Sequence, residues 1–166
     1  LGPVLAEVIF RARYRPSFAW HARAYTAAAR HFGVAPAPGG LLGTVVERRP
    51  VGVVAAITPY NFPLVNMAGK VGPALAMGNT VVVKPAPQDP LAVLRFADAV
   101  VEAGFPPGVV NVLTGSGADA GAALVASPQV DMVSFTGSTV VGKRIGEVAG
   151  RDMKRLLLEL GGKGVG

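Results

Sequence analysis

From Val51 onward the chain alternates short, β-branched apolar runs with longer stretches of helical spacing. Val51–Thr58 (VGVVAAIT) is continuously apolar, as expected of a strand buried on both faces. Phe62–Met77 has helical spacing and stops at Gly78, a residue suited to the turn that ends a helix. Thr80–Lys84 (TVVVK) predicts a second strand, Pro90–Ala103 a second helix followed by Gly104, and Val109–Leu113 a third strand. Ala118–Ala126 predicts a short helix, Val130–Phe135 a fourth strand, and Lys154–Leu160 a fifth. Such alternation builds right-handed βαβ units around a mainly parallel sheet, so the fold class is α/β with helices flanking the sheet.

The preceding part reads differently. Leu1–Phe32 is rich in Ala and Arg and is cut by Pro3 and Pro16, which predicts helix mainly from Ser17, a suitable N-cap. Gly33–Gly43 is a linker, and Thr44–Arg49 (TVVERR) predicts an edge strand with charge at its end. The composition, 51% hydrophobic and 16% charged, supports a sizeable core and argues against disorder.

The formal net charge is +6, with arginines at 11, 13, 15, 23 and 30. A basic balance permits nucleic-acid or anionic-membrane contact, but a solvated helical face accounts for it better. The nearby aromatics Phe10, Tyr14, Phe18, Trp20 and Tyr25 match no nucleic-acid-binding signature, so no nucleic-acid partner is expected. The uncharged stretch Pro50–Gly69 is interrupted by Pro59, Asn61, Pro63 and Asn66, which a bilayer span would leave unsatisfied, so a soluble protein is expected. No secretory signal pattern is present, and a cytoplasmic location is expected. The absence of cysteine excludes disulfide and thiolate chemistry within this chain. His21 and His31 have no other ligand types nearby, and no metal site is expected.

In parallel sheets ligands bind at the carboxyl ends of strands, which makes Pro59–Asn61, Lys84–Pro87, Gly115–Gly117, Thr136–Ser138 and Glu159–Gly161 the candidates. Val130–Lys143 (VDMVSFTGSTVVGK) reads as strand, glycine turn and helix, with Val141, Ile145 and Val148 on one helical side. The helix start there offers unpaired N–H groups to a phosphate, although an ordinary βα turn has the same pattern. Gly115–Gly121 (GSGADAG) is one residue too long for the dinucleotide fingerprint. Gly137–Arg144 (GSTVVGKR) has phosphate-loop spacing, but Arg144 stands where a magnesium-holding hydroxyl belongs, which leaves ATP or GTP hydrolysis as the secondary reading.

Lys84 suits ribose hydroxyls or phosphate, or is a lysine whose stem packs while its head stays wet. Asn61 is an amide donor for a developing oxyanion, or a turn asparagine. Glu159, within the apolar run Leu156–Leu160, is a base in a desolvated pocket, or a strand-end carboxylate in water.

Taken together, PVGVVAAITPYNFPL (50–64), GPALAMGNTVVVKPAPQDP (72–90), EAGFPPGVVNVLTG (102–115), VDMVSFTGSTVVGK (130–143) and KRLLLELGGK (154–163) resemble the aldehyde dehydrogenase superfamily, in order and spacing, from about Arg49 to Lys163. The resemblance implies a Rossmann-like domain binding NAD or NADP, and oxidation of a small-molecule aldehyde to an acid through a cysteine thioester. It implies that Asn61 holds the oxyanion and that Glu159 is the general base for deacylation. Lys84 would contact the adenosine ribose, and Phe135, Gly137 and Ser138 would form the pyrophosphate turn. Ile57, Thr58, Pro59 and Tyr60 would line the cofactor cleft, and Leu160 and Gly161 would lie near the nicotinamide. Ala86, Pro87, Gly115, Thr136 and Val141 complete the expected cofactor-binding set.

The division expected on this basis is an N-terminal helical segment and linker over 1–40, an oligomerisation-type edge strand over 41–49, and an incomplete dinucleotide-binding domain over 50–166. Two departures from the family pattern matter. Relatives that prefer NAD often carry an acid three residues after the lysine, and here that position is Pro87. NADP is therefore expected to be tolerated. The family's nucleophilic cysteine is missing, so a fragment or truncated gene product is expected, inactive alone, with the full-length protein a homo-oligomer. A catalytically dead cofactor-binding remnant is the alternative.

Overall fold

The computed structural model describes residues 49–162. The predicted N-terminal helical segment and linker lie outside the described residues, as does the strand predicted over Thr44–Arg49 apart from Arg49. The elements run β1 (Val53–Ile57), α1 (Pro63–Ala76), β2 (Thr80–Lys84), α2 (Leu91–Glu102) and β3 (Val110–Val112). A π-helical turn (Gly117–Gly121) then leads into α3 (Ala122–Ala126), β4 (Met132–Gly137), α4 (Thr139–Arg151) and β5 (Arg155–Leu160). The five strands form one sheet in the order β3-β2-β1-β4-β5, and each pairing is parallel.

This order puts a switch point between β1 and β4. The chain winds outward from β1 to β3, then crosses back and winds the other way through β4 and β5. Right-handed crossovers then leave helices on opposite faces. Val54, Ala56, Val81 and Val83 pack with Met67, Val71, Val93 and Phe96 of α1 and α2. Ala55, Val133 and Phe135 pack with Leu124, Val125 and Ile145 of α3 and α4. Central strands buried on both faces have no polar side to present, which is why β1 reads as unbroken apolar sequence. Each large side chain removed from water here stabilises by roughly 1.5–3 kcal/mol.

Helix ends follow local chemistry. Pro63 opens α1, where a missing N–H costs nothing. Gly78, at φ +79°, closes it by donating its N–H to the Leu75 carbonyl at 3.0 Å. Gly104, at φ +73°, follows α2 in the same manner. Two expected boundaries shift. β4 runs through Thr136 and Gly137 instead of stopping at Phe135, because β5 continues its ladder through Thr136↔Glu159 and Gly137↔Leu160. The expected short helix over Ala118–Ala126 opens as the wider π turn, with Ser116 Oγ accepting from Asp119 N at 3.0 Å.

Candidate functional site

Ile57 and Phe135 are register partners at the carboxyl ends of β1 and β4. They floor a cavity of about 490 Å³ between α3 and α4, at the switch point. One wall is small, made by Gly121, Ala122 and Val125. The facing wall is Val141, Arg144 and Ile145 of α4. Lys84, the last residue of β2, reaches the cavity under the small wall. A Cβ on Gly121 would already lie 3.6 Å from Lys84 Cδ, so little room remains beside the lysine stem for a larger residue.

Lys84 is only 2% exposed. Its Nζ donates to the Pro85 carbonyl at 2.7 Å. Burial pulls its ammonium below the ordinary lysine value. The wet-headed alternative therefore does not hold, since the whole side chain is buried. Among the described residues no carboxylate lines the cavity, and its charged lining residues are Lys84 and Arg144. A buried cation without a counter-charge is costly, and it is an available donor for an anionic or hydroxyl-bearing ligand.

The turn from β4 to α4 forms one side of the approach. Gly137 is required there, because a Cβ would lie 2.4 Å from Phe135 Cζ. Ser138 caps α4, its Oγ accepting from Val141 N at 3.3 Å. Gly142 lets α4 lie close on β5: a Cβ at that position would lie 2.4 Å from Leu160 Cδ2.

Strand alternation sends other candidates to the opposite face. Thr58, Thr136 and Glu159 fall on the α1 side, with Ser134. Thr58 is 3% exposed, and the Oγ1 atoms of Thr58 and Thr136 have no partner among the described residues. On this face Lys70 Nζ donates to Ser134 Oγ at 3.2 Å. Burial pulls the Lys70 ammonium below its usual range, and the negative charge of Glu159 partly opposes this. Lys70, Ser134, Asn79 and Arg155 line a second cavity of about 610 Å³. Glu159 is exposed on β5, the strand at the edge of the sheet among the described residues.

The cavity thus gathers Ile57, Lys84, Phe135 and Val141 of the expected set, with Gly137 and Ser138 at the turn beside it. Pro59, Tyr60 and Asn61 follow β1, and Tyr60 and Asn61 are exposed. Ala86, Pro87 and Gly115 follow β2 and β3 and do not line the cavity, and neither do Leu160 and Gly161. Sequence reasoning treated Arg144 only as a defect in a phosphate loop and did not single out Lys70. Lys70 had a signal, because it is the one charged residue of α1. Arg144 had one as well, lying three residues from Val141 and one from Ile145 on the apolar side of α4. Among the described residues no three His, Cys, Asp or Glu side chains gather as a metal site needs. Among the same residues no helix is long and apolar enough to cross a membrane.

The sequence profile of the aldehyde dehydrogenase family matches residues 15–165. The chain is 54% identical over 134 residues to aldehyde dehydrogenase 1A1 of Rattus norvegicus, covering 80% of this chain and 26% of that protein. The crystal structure of an NAD-dependent aldehyde dehydrogenase from Sinorhizobium meliloti superposes with a TM-score of 0.69 at 51% identity, over 70% of this chain and 23% of that one. The crystal structure of PnpE in complex with nicotinamide adenine dinucleotide superposes with a TM-score of 0.70 at 52% identity, over 72% of this chain and 24% of that one. The chain spans about a quarter of the length of the curated relatives it matches.

Proposed function

The chain belongs to the aldehyde dehydrogenase family, and from that premise we propose that it holds a nicotinamide dinucleotide between α3 and α4 and contributes to the oxidation of a small-molecule aldehyde to an acid. The observation that carries this reading is the cavity at the switch point. It joins apolar walls fit for a base and the buried Lys84 ammonium, and beside it stands the Gly137–Ser138 turn that opens α4. The residues present fit the group. When bound, NAD or NADP supplies the hydride acceptor.

The chain's own residues divide the remaining work. Lys84 donates to the adenosine ribose. The Gly137–Ser138 turn at the start of α4 receives the pyrophosphate, where a helix start favours negative charge. Asn61 donates its amide N–H to the oxyanion formed at the aldehyde carbon. Glu159 accepts a proton from the water that releases the acid. The thioester route also needs a thiolate, and no cysteine occurs among the 166 residues. The chain alone therefore binds the cofactor and does not turn over aldehyde. NADP is accepted as well as NAD, since Pro87 places no acid against a 2′-phosphate and no carboxylate among the described residues lines the cavity. The whole protein is a cytoplasmic homo-oligomer.

Calorimetric titration with NAD and NADP tests this reading, alongside an absorbance assay for reduced cofactor with an added aldehyde. Saturable binding of both dinucleotides without reduction is expected. Failure to bind either one would overturn the cofactor site, and reduction of cofactor by the pure chain would overturn the stated inactivity.

A further inference from the structure

We infer that Arg144 is a purine-binding residue of this site, its guanidinium plane lying against the adenine of the bound dinucleotide; this rests on the cofactor reading above. Val141, Arg144, Ile145 and Val148 of α4 all line the cavity, at the spacing that keeps residues on one helical face. Three of the four are apolar, and Arg144 is the one that carries charge. Its side chain is exposed, so its head stands at the mouth of the cavity. It makes no ion pair or hydrogen bond with any described residue that would fix it elsewhere.

Position along α4 separates base from phosphate. Ser138, the cap at the helix start where an anion belongs, precedes Arg144 by six residues, or roughly 9 Å of helix axis. The ribose cation, Lys84, comes from β2 under the wall that faces α4. What remains beside Arg144 is a slot with glycine and alanine on one side and valine and isoleucine on the other. A flat purine fills such a slot. A guanidinium is planar and weakly hydrated and lies flat on π-faces, whereas an ammonium is compact, strongly hydrated and has no plane to lay against a ring.

The test is calorimetric titration of the unsubstituted chain, Arg144→Met and Arg144→Lys with AMP, NAD, NADP and nicotinamide mononucleotide. Methionine keeps an apolar stem of similar reach, and lysine keeps the charge without the plane. Both variants are expected to bind AMP, NAD and NADP about two- to fivefold more weakly, by similar factors, with nicotinamide mononucleotide unaffected. Unchanged affinity for all adenine ligands would overturn the inference. A loss confined to NADP and restored in Arg144→Lys would also overturn it, since the charge would then be serving a 2′-phosphate. Failure of the unsubstituted chain to bind any adenine ligand would overturn the cofactor reading, and this inference with it.

Discussion

A Cβ built on Gly137 would lie 2.4 Å from Cζ of Phe135. The ring that forbids it also floors the cavity, opposite its register partner Ile57. Gly137→Ala must therefore push the ring or bend the β4–α4 turn. Overpacking of this kind costs about 1–3 kcal/mol. Urea denaturation is expected to show that loss, and titration a weaker affinity for dinucleotide. Full stability together with unchanged affinity would mean that the ring moves freely.

Lys84→Met separates binding from stability. The variant removes a buried cation whose partner among the described residues is the Pro85 carbonyl. Its fold is expected to be as stable as the parent or more so, because the desolvation penalty disappears. Its affinity for either dinucleotide is expected to fall about tenfold, the loss of one charge-assisted hydrogen bond. Retained affinity would remove Lys84 from the site.

Lys70 and Lys84 also set a pH dependence. Burial is the main cause that lowers both below the ordinary lysine value, which the unfolded chain keeps. Between the lowered folded values and that unfolded value the unfolded chain binds more protons. Stability therefore rises as pH climbs through this window. The urea midpoint is expected to increase as pH climbs toward the ordinary lysine value, and to increase less in Lys84→Met. A midpoint that falls over the same range would contradict the burial of these two groups.

Asn79 is a control away from the cavity between α3 and α4. Its Oδ1 accepts from Val51 N at 2.6 Å and Gly52 N at 3.0 Å, and its Nδ2 donates to the Ala74 carbonyl at 2.9 Å. Asn79→Ala leaves these backbone groups without partners and is expected to cost about 2–4 kcal/mol, read by urea denaturation. Cofactor affinity of the folded fraction is expected to stay the same.

The sheet was legible because its strands are buried on both faces and so spell apolar runs between helical spacings. β2 matches its predicted span of Thr80–Lys84. The end of β4 was not legible, because Thr136 and Gly137 look like turn formers and join the ladder only through β5. The π turn was hidden as well, since no local motif announces the bond from Gly121 N to the Ser116 carbonyl or the Ser116 cap that opens it. For the site, strand ends pointed to Lys84 and Phe135. Which face each residue serves depends on strand order, and one register step separates Phe135 in the cavity from Thr136 on the α1 side. Lys70 and Arg144 escaped notice because their importance lies in what they face across the sheet and the cavity, not in any local motif.

The most direct test of the cofactor site is a backbone NMR titration of the 166-residue chain with NAD. Amide shifts are expected to concentrate at Ile57, Phe135, Gly137, Ser138 and Val141, around the cavity between α3 and α4. Shifts centred instead on Lys70, Asn79 and Arg155, or no shifts at saturating NAD, would contradict the assignment of that cavity as the dinucleotide site.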